Sequence, residues 1–145
     1  MRQQVRVVCK NRSSRVFVPE RVYTVHGFDP ANSFGAEAAA RYDRHERGDE
    51  NEAATFLADL GQGRPACEFA IGTGRIALPL TALGVTVDGI ELSPDMVDRL
   101  RTEPGGEELN VTIGDMSLVA TGHRYGRVYL VFNTIFNLLT ADDQV

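Results

Sequence analysis

The earliest regular pattern along the chain is a series of apolar residues at helical spacing, which begins near residue 35. Four segments carry it: residues 36–42, 49–60, 75–83, and a segment that begins at Ser93. Asp49 and Ser93 are residue types that cap helix N-termini, and Pro94 suits the first helical position. Pro79 falls inside the third segment, where we expect it to kink the helix.

Between these helical segments lie four short apolar runs that are typical of buried strands. They are residues 66–71, 85–90, 111–113 and 127–132. Strands that alternate with helices predict a parallel sheet covered on both faces. We therefore predict an α/β fold, a Rossmann-like doubly wound parallel sheet.

A glycine or a polar residue follows each predicted strand. Gly72 and Gly74 follow the first strand, and Glu91 ends the second, 19 positions after Gly72 (91 − 72). Asp115 and Asn133 follow the third and fourth strands. Ligands of such sheets bind beyond the carboxyl ends of the strands, where glycines let the backbone approach. Because a carboxylate at the end of the second strand can accept both hydroxyls of a ribose, the pattern favours a ligand that carries a nucleoside.

Two ligand classes fit the glycine turn. Residues 72–77 match the G-x-G-x-x-G/A fingerprint of dinucleotide binding, which points to NAD. Glu68, however, lies inside an apolar strand, where an unpaired carboxylate costs free energy. A carboxylate there would repel a pyrophosphate and attract an ammonium group. It therefore favours a ligand with a ribose and an amine but no phosphate, a description that S-adenosylmethionine meets.

Three motifs in order resemble those of the class I S-adenosylmethionine-dependent methyltransferases. Residues 68–75, EFAIGTGR, are similar to the first motif, E/D-x-G-x-G-x-G. Residues 89–96 resemble the second motif and residues 114–116 the third, while residues 129–134 and 40–43 resemble the fourth strand and the helix before the core. The resemblance covers about residues 35–145, and we interpret this segment as a cofactor-binding domain.

The resemblance implies a cofactor contact for each matching position. These positions are Tyr42, Glu68, Ala70, Gly72, Thr73, Gly74, Glu91, Leu92, Asp115, Met116 and Asn133. Glu68 would face the methionine amine, and residues 70–74 would line the methionine part of the pocket. Asn133 would face the methyl-donor end, and Tyr42 would close over the cofactor.

At the nucleoside end, the resemblance implies that Glu91 holds the ribose hydroxyls and that Leu92 packs on the adenine. Asp115 would accept from the adenine amino group, with Met116 beside the ring. One departure from the motif is Ala70, which replaces its first glycine. Alanine permits close backbone approach if its φ is negative, and we expect that conformation here.

A second departure is that the chain carries only the first four strands, the N-terminal half, of the class I methyltransferase fold. We interpret the domain as truncated after the fourth strand. In the order that the resemblance implies, the fourth strand becomes an edge, and its apolar sequence would favour self-association or a completing chain.

The charge distribution separates an N-terminal extension from the predicted domain. The net charge is −5, but residues 1–28 carry six basic residues and one acidic residue, so residues 29–145 carry −10 (−5 − 5). We interpret residues 1–34 as a basic, poorly patterned extension. The acidic body argues against a nucleic-acid partner, and no apolar run is long enough for a membrane span. Cys9 and Cys67 form no metal-ligand pattern and suit a reducing, cytoplasmic setting.

The resemblance implies an enzyme that transfers a methyl group from S-adenosylmethionine to a small-molecule acceptor. No catalytic base can be assigned, because all three histidines lie in weakly patterned segments. Two alternatives stay open. One is a non-catalytic cofactor-binding half-domain that needs a partner, and the other is a fragment of an NAD-dependent oxidoreductase.

Overall fold

The structure, a computed structural model, describes residues 33–42 and 48–144. The predicted N-terminal extension lies outside these residues except for Ser33 and Phe34, as does Cys9. Among the helices in the described ranges, none has the length and apolar character that a membrane span requires. The same ranges contain no cluster of three side chains suited to hold a metal ion.

Four parallel strands form the sheet, and their spatial order is β3-β2-β1-β4. Their bounds are β1 Ala66–Phe69, β2 Val87–Glu91, β3 Asn110–Ile113 and β4 Arg127–Tyr129. The predicted α/β class, the parallel sheet and the edge position of the fourth strand are confirmed.

Four α-helices and two short 3-10 turns accompany the sheet in the described part of the chain. The helices are α1 Ala36–Tyr42, α2 Glu50–Gly61, α3 Ala77–Ala82 and α4 Pro94–Arg101, and the 3-10 turns are Gly106–Glu108 and Thr134–Asn137. The helix continues through Pro79 without a break, because α3 begins only two residues before it and proline is tolerated in the first turn of a helix.

The hydrophobic core lies between one face of the sheet and helices α2, α3 and α4. Leu57, Leu80 and Leu100 from these helices pack with Ala66 and Val87 from the strands. The connections β1–α3–β2 and β2–α4–β3 both step in the same direction across the sheet. Because such crossovers are right-handed, their helices share one face.

In the described residues, irregular chain covers the opposite face of the sheet. The prediction of helices on both faces therefore holds for one face of the described sheet. After β3 the chain returns across β2 and β1 to form β4, so the right-handed connection runs over the other face. Tyr125 in this connection donates to Asp88 of β2 at 2.7 Å. This reversal creates a switch point between β1 and β4, at whose carboxyl ends sheets of this class bind ligands.

The two predicted helix caps have different outcomes. The Ser93 hydroxyl accepts from the Met96 N–H at 3.3 Å and caps α4, as predicted. Asp49 occupies the N-cap position of α2 but makes no side-chain cap bond, so that prediction is wrong. Its carboxylate instead pairs with Arg75 at 2.9 Å, because the charge of an arginine outcompetes a backbone N–H.

Candidate functional site

The turn between β1 and α3 brings three residues of positive φ to the carboxyl end of the sheet. Ala70 has a φ of 52°, Gly72 of 58° and Gly74 of 82°. The negative φ expected for Ala70 is therefore wrong: the turn requires a left-handed conformation where the motif has glycine. At Gly74 a Cβ would also lie 2.4 Å from Cδ1 of Leu100, so packing against α4 requires glycine there.

Glu91 ties the end of β2 to this turn. Its Oε2 accepts from the Gly72 N–H at 2.8 Å, and its Oε1 accepts from the Ser93 N–H at 2.9 Å. The side chain is buried, and burial raises the pKa of Glu91 against the opposing effect of these backbone donors. Each oxygen keeps a further lone pair, so the carboxylate can still accept two hydroxyl groups.

Glu68 is a buried carboxyl group on the core-facing side of β1. It is 1% exposed, and the Tyr129 hydroxyl donates to its Oε2 at 3.1 Å. Burial raises the pKa of Glu68 to about 8, although the Tyr129 bond and the charge of Arg75 oppose the rise. Because burial brings the pKa of Glu68 close to neutral pH, a cationic ligand beside this group would change its protonation state.

Two residues of this region, Tyr129 and Arg75, were missed by sequence reasoning as site residues. Tyr129 meets Glu68 because β1 and β4 pair in that register, which the separate strand patterns do not reveal. The Arg75 guanidinium contacts carboxylates of Asp49 and Glu50 at 2.9 and 2.8 Å. A basic residue directly after the glycine turn was the only available signal for Arg75.

The predicted nucleoside-end residues lie at the ends of β2 and β3. The Gly114 N–H donates to the Glu91 carbonyl at 2.8 Å, so the two strand ends stay adjacent. Asp115 Oδ1 accepts from the Ser117 N–H at 2.8 Å and from its hydroxyl at 2.7 Å, which holds the turn after β3. Leu92 and Met116 are both half-buried, and each follows a strand-end acid directly.

The remaining predicted residues border the site from two other segments. Tyr42, at the end of α1, is 39% exposed and meets the Phe34 ring edge-on at 6.4 Å between centroids. The Ser93 hydroxyl donates to the Phe34 carbonyl at 2.5 Å, which links this segment to the end of β2. Asn133 is exposed after β4, and Thr73 is buried in the glycine turn.

The charged groups of this region favour some ligands over others. Glu68, Glu91 and Asp115 supply three carboxyl groups, whereas the cation Arg75 is already engaged by Asp49 and Glu50. Such a site favours a ligand with hydroxyl groups and a positive charge. It disfavours a pyrophosphate, as the position of Glu68 indicated.

Comparison with known proteins gives matches among solved structures. No protein-family model and no curated protein matches the chain. The CcbJ methyltransferase from Streptomyces caelestis is 38% identical over 81% of this chain and 50% of its own, with a TM-score of 0.72. The glycopeptide N-methyltransferase MtfA, complexed with sinefungin, is 29% identical over 66% of this chain and 45% of its own, with a TM-score of 0.57.

A third structure, DesVI from Streptomyces venezuelae, is 24% identical over 74% of this chain and 47% of its own, with a TM-score of 0.62, and supports the fold alone. The chain spans about half the length of these matching structures. The four-strand order, the glycine turn and the similarity to CcbJ agree with one another. The chain therefore belongs to the class I S-adenosylmethionine-dependent methyltransferase family.

Proposed function

We propose that this chain binds S-adenosylmethionine and takes part in methyl transfer to a small-molecule acceptor. The observation that carries the proposal is the placement of Glu91, whose buried carboxylate joins the glycine turn to the end of β2. The similarity to CcbJ, a methyltransferase, supports the same reading. When bound, the cofactor would supply an electrophilic methyl group on a sulfonium.

The chain's own residues would bind and orient the cofactor rather than react with it. Glu91 would accept the two ribose hydroxyls, and Asp115 would accept from the adenine amino group between Leu92 and Met116. Glu68 would face the amine, beside residues 70–74. An ammonium group near Glu68 would lower its pKa from about 8, so we expect binding near neutral pH to release a proton.

For the acceptor, we propose a small molecule that presents an amine. The support is the name of MtfA, a glycopeptide N-methyltransferase, together with the acidic character of the site. Asn133 and Tyr42 would border the acceptor side. The reaction is an in-line displacement that depends on positioning and desolvation, and no residue of the described ranges is assigned as its base.

One alternative is that the chain binds the cofactor but does not catalyse methyl transfer. In that case the chain would be a cofactor-binding half-domain that needs a partner for activity. The outer edge of β4 and the exposed Val128 beside it support pairing with another strand, from a second copy or from a completing chain. Methyl transfer by the isolated 145-residue chain would exclude the non-catalytic alternative.

The test of the proposed function is calorimetric titration of the chain with S-adenosylhomocysteine, with NAD as the competing ligand. We expect binding of the first and none of the second. Glu91→Ala should weaken the affinity by about 1.5–3 kcal/mol, the scale of hydrogen bonds to a charged group. Glu107→Ala, an exposed acid of the first 3-10 turn, is the matched control and should bind normally. Tighter binding of NAD would overturn the proposal.

A further inference from the structure

Arg75 joins three segments that are distant in sequence. It follows the glycine turn directly, and its side chain is only 16% exposed. Its Nη1 lies 2.9 Å from Asp49 Oδ1 and 2.8 Å from Glu50 Oε1, at the beginning of α2. Its Cζ lies 3.9 Å from the centroid of the Phe132 ring, after β4. Such a cation over an aromatic face is attracted by the ring quadrupole.

Two of the three partners of Arg75, Asp49 and Phe132, depart from their own local preference. Asp49 stands at the N-cap of α2 but gives its carboxylate to Arg75 instead of the helix backbone. Phe132 has a φ of 60°, a conformation that bulky residues rarely adopt. Local conflicts of this kind persist where tertiary contacts determine them, and they are concentrated at functional sites.

The contacts of Arg75 differ from those of an ordinary surface ion pair. Arg99 and Glu103 form an ion pair between residues four positions apart, and their side chains are 36% and 31% exposed. Solvent screens such pairs, so they contribute little. The Arg75 side chain is 16% exposed and that of Glu50 20%, although that of Asp49 is 56% exposed, and the contacts of Arg75 link segments 25 to 57 positions away (75 − 50, 132 − 75). Through these contacts Arg75 brings together segments that are separate in sequence.

We propose that Arg75 is a positioning residue that couples the beginning of α2 to the Phe132–Asn133 turn and thereby sets the methyl-donor side of the site. The coupling follows from the contacts alone, whereas its effect on ligand binding rests on the proposed function. Arg75 acts through Asp49, Glu50 and Phe132, and its charge also favours the ionised form of Glu68.

The coupling is tested on the ligand-free chain by amide hydrogen exchange. In Arg75→Met, we expect residues 48–54 and residues 131–135 to lose protection together, although the two segments belong to different elements. Arg99→Met is the matched control and should leave both segments unchanged. Protection retained at both segments in a folded Arg75→Met would overturn the proposal.

A double-mutant cycle measures the interaction energy between two substitutions, which a general loss of stability would not change. Glu50→Gln and Phe132→Leu should be non-additive in the native background and additive in the Arg75→Met background, because Arg75 is what connects them. Arg75→Lys covers the case in which Arg75→Met does not fold. Lysine keeps the charge but lacks the planar fork, so it should restore protection at residues 48–54 more than at residues 131–135. Equal additivity in both backgrounds would contradict the coupling.

Binding of S-adenosylhomocysteine then tests the functional consequence. We expect Arg75→Met to weaken the affinity about tenfold, equivalent to about 1.4 kcal/mol. Arg75→Lys should recover part of this affinity. Arg99→Met should bind S-adenosylhomocysteine with the affinity of the unaltered chain. If the unaltered chain does not bind S-adenosylhomocysteine, the proposed function fails, and hydrogen exchange and the cycle still decide the coupling. Undiminished affinity in Arg75→Met would limit Arg75 to a structural role and overturn the positioning proposal.

Discussion

At the scale of single residues, Ala70 holds a conformation that its side chain disfavours. Its φ of 52° lies in the left-handed region, where an L-residue other than glycine is strained by contact between Cβ and the backbone. The turn imposes this conformation, because the next residue must reach the β2 backbone: the Ile71 N–H donates to the Ile90 carbonyl at 3.1 Å. The sheet thus determines a backbone angle that alanine by itself would avoid.

Ala70→Gly should therefore stabilise the folded chain. The relief of left-handed strain exceeds the entropic cost of glycine, so we expect a gain of about 0.5–1 kcal/mol in the free energy of unfolding. Urea denaturation measures it. Ala82→Gly, at the exposed end of α3, is the control and should instead lower the stability, by up to about 1 kcal/mol. A loss of stability in Ala70→Gly would show that the alanine methyl group makes a compensating contact.

Glu68 makes the stability depend on pH in a defined direction. Its pKa rises from an ordinary value of 4.5 to about 8 on folding, because burial disfavours the charged form. Between these values the native chain binds more protons than the unfolded chain, so this contribution to stability falls as the pH rises from about 4.5 to 8. The slope approaches about 1.4 kcal/mol per pH unit at most.

Glu68→Gln should flatten this dependence, because glutamine does not titrate. Urea denaturation at pH 5, 6.5 and 8 compares the unaltered chain with Glu68→Gln and with Glu107→Gln, an exposed control. We expect Glu107→Gln to follow the unaltered chain. If Glu68→Gln also keeps the full slope, another group is responsible for it.

At the scale of elements, the beginning of α4 joins three parts of the site. Ser93 caps the helix through Met96, its N–H donates to Glu91, and its hydroxyl donates to the Phe34 carbonyl. The same residue therefore begins a helix, orders the carboxylate proposed to bind ribose, and holds the segment that leads into α1. The hydroxyl that caps the helix therefore also makes a tertiary contact, with Phe34.

Ser93→Ala should lower the free energy of unfolding by about 1 kcal/mol or more, since it removes the cap as well as the contact with Phe34. Chemical denaturation measures the change. Thr55→Ala is the matched control: Thr55 is exposed inside α2, and among the described residues its hydroxyl donates to the Asn51 carbonyl four residues earlier, within the same helix. Alanine there should preserve or slightly raise the stability. Equal effects of the two substitutions would contradict the role given to Ser93.

At the scale of the whole molecule, the chain adds β2 and β3 on one side of β1 and then returns to add β4 on the other side, which leaves β4 at the edge of the described sheet. In the residues that the structure describes, β4 pairs only with β1, and its other side carries unpaired backbone groups. Exposed apolar side chains lie on or close after this strand: Val128 is 52% exposed and Phe136 69% exposed. An edge of this kind favours pairing with another chain.

We expect the chain to associate as its concentration rises, and Val128→Lys to shift it toward the monomer, because a lysine on an edge strand opposes pairing. Sedimentation velocity over a range of concentrations measures both. Leu83→Lys, an equally exposed apolar position at the end of α3, is the control and should associate like the unaltered chain. A chain that stays monomeric at every concentration would exclude self-association through this edge.

The features that depend on neighbouring residues along the chain could be predicted from the amino-acid sequence. Strand and helix order follow from hydrophobic periodicity, and the cap at Ser93 follows from residue type. The position of Glu91 at a strand end follows from the run before it. Each is a local property, and each is present in the structure within a few residues.

Contacts between groups that are distant in sequence could not be predicted in this way, because the arrangement of the strands produces them. Tyr129 reaches Glu68 across 61 positions because of the register of β1 and β4, and Arg75 draws the Asp49 carboxylate away from its own helix across 26 positions. The positive φ of Ala70 likewise arises from the bond between the turn and β2. These features depend on how the sheet brings its strands together, and no local pattern encodes that arrangement.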